Sequence, residues 1–359
     1  MCDKPIPKPY VMGVPAYVSG KHSINGDKNV IILSSNENPL GCSDKVAPSL
    51  QNIAFHRYPD AGATALCETI GHIHTLAPSR ILCGAGSDEV LQLLVLAYAG
   101  EGDEVIYTQY GFLMYPIQTQ IVGATPVQVP ETDYTVDIDA ILSALTHTTK
   151  MIMIANPANP TGTAIPRSEL VRLIENTPSH IMIVLDGAYV EYCTWDAYTD
   201  GADLVDIYPN VVMTRTFSKA YGLASIRLGW CYAHPEVIDV LHRVRGPFNV
   251  TSLTQTAGIV AVQDQQFIEK SVAHNRTWRP VLSDMFIQKG CEVPISHTNF
   301  ILVLFKTESG AQRALITFER HGILVRSVSA YGMANGLRIT IGTEEENRRI
   351  MRLLQEMEF

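Results

Sequence analysis

Lys219 lies in the run Arg215-Thr216-Phe217-Ser218-Lys219-Ala220-Tyr221-Gly222, and Arg227 follows eight residues after it. A lysine set among small and aromatic residues loses its charge on burial and becomes a nucleophile. Asp186 opens a second run, Asp186-Gly187-Ala188-Tyr189, where its carboxylate can accept from nearby amides or face a cationic ring nitrogen. A third run, Gly84-Ala85-Gly86-Ser87-Asp88-Glu89, opens a predicted helix. Its glycines let backbone approach a ligand, and free N–H groups at a helix start suit a phosphate. Ser87 acting as an ordinary N-cap explains the same run. A fourth, Asn156-Pro157-Ala158-Asn159-Pro160-Thr161-Gly162, offers amide side chains or simply a turn-rich loop.

Each of these runs follows an apolar strand. Ile81-Leu82-Cys83, Met151 to Ala155, Ile181 to Leu185 and Val211 to Thr214 are apolar at nearly every position, as strands covered on both faces are. Further strands are predicted over 104–107 and 125–129, with helices over 87–99 and 168–175. That alternation implies an α/β domain around a mostly parallel sheet, and such sheets bind ligands beyond the carboxyl ends of their strands. After residue 248 a helical stretch over 253–289, an apolar run over 299–305, a helix over 310–321 and strands over 322–326 and 337–341 predict a smaller α+β domain. The expected division is an N-terminal arm (1–35) with a turn at Asn25-Gly26-Asp27, a large ligand-binding domain (36–247) and a small C-terminal domain (248–359).

A chain of 359 residues that is 46% hydrophobic can bury two such cores. Its net charge of −9 argues against nucleic acid or an anionic membrane as the main partner, so any phosphorylated ligand needs locally gathered arginines. No apolar run approaches the ~20 residues of a membrane span, and the first ten residues lack the apolar stretch of a signal peptide. Seven cysteines without framework spacing fit reduced thiols in a cytoplasm, with Cys67, Cys83, Cys193 and Cys231 as packing residues. His72 and His74 point to different faces of one helix, so no metal site is expected.

Taken together, the strand ends supply a phosphate cup, an amide, an acid with a tyrosine and a lysine with an arginine. Pyridoxal phosphate requires that set: an amine for its aldehyde, a carboxylate for its ring nitrogen and donors for its phosphate. Here the chain resembles the class I/II aminotransferases of the aspartate-aminotransferase fold (PLP fold type I). Within them it is similar to the histidinol-phosphate aminotransferases. The likeness runs from about Tyr10 to the C-terminus. It is carried by Ser35-Asn36-Glu37-Asn38-Pro39-Leu40-Gly41, Arg57-Tyr58-Pro59, Gly86-Ser87-Asp88-Glu89, Asn159-Pro160-Thr161-Gly162, Ser218-Lys219-Ala220 and Gly336-Leu337-Arg338-Ile339-Thr340-Ile341-Gly342.

The resemblance implies roles by position. Lys219 would carry the cofactor covalently and shuttle a proton, Asp186 would pair with the pyridinium nitrogen, and Tyr189 and Asn159 would bond the ring's phenolic oxygen. Ser87, Asp88, Ser218 and Arg227 would surround the cofactor phosphate, Phe112 would stack on the ring, and Tyr58 would reach the phosphate of the neighbouring subunit in a homodimer with shared sites. Arg338 would grip the substrate carboxylate or its equivalent, with Arg326 and Tyr10 at the distal end of the substrate. The activity implied is transamination of L-histidinol phosphate with 2-oxoglutarate, yielding imidazole-acetol phosphate and glutamate in histidine biosynthesis. An aromatic amino acid aminotransferase and an enzyme like the threonine-phosphate decarboxylases are the alternatives on the same site. A non-catalytic regulator on this fold fits less well, because the lysine, carboxylate and phosphate donors are all retained. Three departures from the family pattern bear on substrate preference: Ala158 stands for Asn, Gly187 for Glu, and Phe112 where Tyr is also frequent.

Overall fold

Strands that are apolar at every position need cover on both faces, and the central sheet provides it. The computed structural model describes residues 4–14, 23 and 30–357; the predicted turn at Asn25-Gly26-Asp27 lies outside them. Seven strands stand in the order Ile81–Gly84, Gly229–Tyr232, Val211–Thr216, Met182–Asp186, Thr149–Ala155, Glu104–Thr108 and Thr125–Val129. All run parallel except Gly229–Tyr232, which is antiparallel to both neighbours. Alternate residues feed two cores, because successive side chains of a strand leave on opposite faces. Ile152, Ile183 and Val211 pack with Leu66 and Ile70 on one face, and Met153, Val184 and Val212 with Leu91 and Leu94 on the other. This is the mostly parallel α/β sheet expected from the sequence.

A third core lies C-terminal to the sheet. Phe300–Leu304, Gly336–Thr340 and Arg326–Ser327 form a three-stranded antiparallel sheet, and Ile31–Ile32 pairs in parallel with Ile323–Leu324. Its interior contains Leu33, Leu282, Phe286, Ile301, Val303, Phe318, Ile339 and Leu354. The helical stretch expected over 253–289 is two helices, Ser252–Gln263 and Gln265–Gln288, parted at Asp264. The Asp264 carboxylate accepts from Ser43 Oγ at 2.5 Å and Lys45 Nζ at 3.0 Å, which ties that break to the segment after residue 41. Ala257 and Ala261 of the first helix pack with Leu66, whereas Leu282 and Phe286 of the second pack with Ile301, so the pair joins one face of the large sheet to the core of the smaller one. A final helix, Glu344–Glu356, begins in a capping box between Thr343 and Glu346. Among the described residues no helix is long and apolar enough to cross a membrane.

Candidate active site

A cavity of about 320 Å³ opens where the sheet's carboxyl ends meet the three-stranded sheet. Ten of the thirteen residues singled out in the sequence line it: Ser87, Asp88, Phe112, Asn159, Tyr189, Ser218, Lys219, Arg227, Arg326 and Arg338. Local structure arranges them in three groups.

At one end the helix Ser87–Tyr98 starts on Gly86, with no side-chain cap, so Ser87 is its first residue and not its N-cap. Gly229 lets that start approach the sheet, since a Cβ there would sit 2.1 Å from the Ser87 amide nitrogen. Gly86, at φ +89°, leaves room for a guanidinium, since its Cβ would fall 2.3 Å from Arg227 Nη2. Arg227 Nη1 donates to Ser218 Oγ at 3.2 Å and to the Ala224 carbonyl at 3.1 Å, and Nη2 lies 3.6 Å from Asp88 Oδ2. Uncapped amides, a guanidinium and the Ser87 and Ser218 hydroxyls thus converge into a seat for an anion. Burial raises the Asp88 carboxyl against the pull of Arg227 and Lys219.

In the middle, Asp186 ends its strand two residues before Ala188 of the cavity lining and is 5% exposed. Its Oδ2 accepts from Tyr115 Oη at 2.8 Å and its Oδ1 from Thr214 Oγ1 at 3.2 Å. Burial pushes it up to about 6, with the hydroxyl donors pulling the other way. Tyr189 Oη accepts from Asn36 Nδ2 at 2.9 Å, and burial raises this phenol to about 12. Lys219 Nζ donates to the Ser35 carbonyl at 3.2 Å. Burial first, then the charges of Arg338 and Arg227, lower it to about 8.

On the far wall Arg326 and Arg338 are direct cross-strand partners. Like charges set opposite each other repel, so a wall built this way favours an anion between or beside them. Arg338 is fixed by donation to Asn159 Oδ1 at 2.6 Å and to the Ser34 carbonyl at 2.7 Å.

Asp186, Tyr58 and Tyr10 do not line the cavity. Tyr58 is 82% exposed, its ring stacked on Phe248 at 4.6 Å. The Tyr10 ring lies against Gly123, just past the helix Met114–Ile121. Sequence reasoning missed Asn36, Tyr115 and Thr214. Asn36 stood in a quoted motif without a partner, and Thr214 shares a strand face with Thr216 by the two-residue period. Among the described residues no group of three or more metal-ligating side chains gathers.

The residues fit pyridoxal phosphate. A glycine that cannot take a side chain without displacing Arg227 and an uncapped helix start can seat the phosphate. A desolvated carboxylate and a lysine of depressed proton affinity share the same cavity region.

Comparison with known proteins agrees with this geometry. The family described as "Aminotransferase class I and II" matches residues 28–354. A protein of Ruegeria pomeroyi named histidinol-phosphate aminotransferase is 45% identical over 347 residues, 96% of each chain. One of the same name from Rhodospirillum rubrum is 47% identical over 354 residues, 98% of this chain and 96% of that one. The fold matches the crystal structure of histidinol-phosphate aminotransferase from Sinorhizobium meliloti in complex with pyridoxal-5'-phosphate, with a TM-score of 0.91 at 24% identity and 99% of both chains covered. It also matches an aspartate aminotransferase of Thermus thermophilus, with a TM-score of 0.81 at 20% identity and 97% of both chains covered. By the extent of the family match and the identity to these relatives, the chain belongs to the class I and II aminotransferases.

Proposed function

We propose that this protein is a pyridoxal-phosphate-dependent aminotransferase. It takes L-histidinol phosphate as amino donor and 2-oxoglutarate as acceptor, yielding imidazole-acetol phosphate and glutamate in histidine biosynthesis. Relatives of that name at 45–47% identity over nearly the whole chain support the reading. The observation that carries it is the wall made by Arg326 and Arg338, two guanidiniums opposed across neighbouring strands of a protein with net charge −9.

Pyridoxal phosphate, when bound, supplies an aldehyde that takes up amino groups and a ring that accepts electrons. Ser218, Arg227, Ser87 and the amides at Ser87 and Asp88 hold its phosphate. Asp186 keeps the ring nitrogen protonated, because an opposite charge favours both ionised partners. Tyr189 and Asn159 would bond the ring oxygen, and Phe112 would shield the ring from water. The Lys219 amine, partly neutral near pH 7 because its pKa lies near 8, removes and returns the proton at the substrate Cα. Arg326 and Arg338 bind the anionic end of each substrate in turn: the phosphate of the donor, then a carboxylate of the 2-oxo acid.

In this reading the enzyme works in the cytoplasm as a homodimer, with Tyr58 serving the partner's cofactor. The exposure of Tyr58 and Phe55 supports that, since large apolar surface left open in one chain suits a partner. Tyr10, expected at the distal end of the substrate, does not line the cavity of its own chain.

Arg326→Ala tests the substrate. Removing one partner of a buried charged pair costs on the order of 2–5 kcal/mol, so kcat/KM for histidinol phosphate should fall by ~30-fold or more. Unphosphorylated histidinol should lose far less. Equal losses on both would mean that Arg326 does not read the phosphate.

A further inference from the structure

Tyr115 is 0% exposed, in the core that also holds Val90, Leu91, Leu94 and Val105. A phenol driven among aliphatic side chains is costly unless its hydroxyl is bonded, and phenylalanine would fill nearly the same space without that cost. The hydroxyl has a specific partner, Asp186 Oδ2 at 2.8 Å, which lies 71 residues away in sequence. Thr214 Oγ1 occupies the other oxygen at 3.2 Å. A carboxylate can accept about four hydrogen bonds, so with the Ala188 amide as a third donor it keeps capacity for one more. Tyr115 also meets the Phe112 ring edge-on, with centroids 5.8 Å apart and planes at 88°, and so touches a residue that lines the cavity.

We propose that Tyr115 is a positioning residue: its hydroxyl, together with that of Thr214, fixes the Asp186 carboxylate in its ionised form for the cofactor's ring nitrogen. The inference rests on the role given to Asp186 above. Other groups act on the same carboxylate. The Asp88 carboxylate, from the helix Ser87–Tyr98, raises its proton affinity, and the Tyr189 phenol interacts with it from the loop beyond its strand. Tyr115 and Thr214 oppose that rise together with the Ala188 amide, so the hydroxyls set where Asp186 gains its proton.

The test compares the cofactor-loaded forms of wild type, Tyr115→Phe, Thr214→Val, Asp186→Asn and the double variant Tyr115→Phe/Asp186→Asn. Cofactor dissociation constants and the acidic limb of cofactor retention are read from bound-cofactor absorbance across pH. Tyr115→Phe should weaken cofactor binding about 10-fold, the scale of one hydrogen bond to a charged group. It should also move the acidic limb to higher pH, because a donor favouring the ionised carboxylate is gone. Thr214→Val should shift the limb in the same direction, and that variant alone decides should Tyr115→Phe not fold. On the Asp186→Asn background, Tyr115→Phe should add less than about 3-fold. Wild-type affinity and limb in Tyr115→Phe, or in Thr214→Val, while Asp186→Asn is impaired, would overturn the inference. So would a full 10-fold loss persisting on the Asp186→Asn background. Asp186→Asn behaving as wild type would remove the role of Asp186 itself, and this inference with it.

Discussion

Lys219 is pressed between burial and the guanidiniums of Arg338 and Arg227, which lower it to about 8 from a usual 10.5. Its charged form is disfavoured, so the reactive neutral amine accumulates as pH rises through about 8. Uptake of pyridoxal phosphate by the apoprotein should therefore accelerate with a midpoint near pH 8, and borohydride should fix the label on Lys219 alone. A midpoint near 10, or label on another lysine, contradicts this. Lys219→Ala should keep non-covalent affinity while turnover drops by about 10²–10⁴-fold or more. Asp186 is displaced the opposite way. Its folded pKa of about 6 lies above its usual 3.8, so the stability owed to its proton is present at low pH and lost as pH rises through about 6. The Asp186→Asn apoprotein should accordingly be more stable than wild type at pH 7.5, with the difference shrinking as pH falls below about 6 and gone only below the usual 3.8. Equal thermal midpoints at pH 7.5 would show that Asp186 carries no such burden. Lys219, Asp186 and Arg227 were legible in the sequence because strand ends in an α/β sheet are where chemistry collects. Asn36 and Tyr115 were not, because what gives them a role is a partner 153 or 71 residues away, which spacing does not encode.

The elements that were easiest to read are those whose physics is local. Thr149–Ala155, Met182–Asp186 and Val211–Thr216 are almost wholly buried, so their unbroken apolar runs had a single good explanation. Gly229–Tyr232 went unread: it has four residues and runs against its neighbours, with nothing in its composition to mark direction. The break at Asp264 was equally hidden, since the apolar period resumes at once and the reason to stop is Ser43 and Lys45, far off in sequence. The helix Glu344–Glu356 was overlooked although Thr343 and Glu346 spell a capping box. The loop before Ser87–Tyr98 gives the sharpest prediction at this scale. Gly86→Ala places a methyl where Arg227 Nη2 now lies and demands φ +89° of a residue with a Cβ. Cofactor affinity should fall by about 10-fold or more, the scale of a lost charge-assisted contact. Gly100→Ala, with open space at that position, should bind as wild type. Equal affinities for both variants would show that the Gly86–Arg227 contact is not the anion seat.

Across the whole molecule the cavity draws on both sheets. Lys219, Ser218 and Arg227 come from the large sheet, Arg326 and Arg338 from the three-stranded one, and Asn36 bridges Tyr189 to Thr340. If the protein is a homodimer that shares its sites, mixing Tyr58→Ala with Lys219→Ala subunits should restore part of the activity, because one heterodimer cavity then holds both intact residues. No recovery after confirmed exchange would confine Tyr58 to its own chain or remove it from the site. A net charge of −9 with two arginines opposed on one cavity wall is the molecular reason to expect a doubly charged substrate end. The half-reaction tests that expectation most directly. The protein loaded with pyridoxal phosphate is mixed separately with histidinol phosphate, phenylalanine, tyrosine, glutamate and threonine phosphate, and conversion to the pyridoxamine form is followed by absorbance. Histidinol phosphate should convert with the highest second-order rate constant, and glutamate should also convert as the product of the return half. A higher rate constant for phenylalanine or tyrosine than for histidinol phosphate would contradict the assignment and make the protein an aromatic aminotransferase.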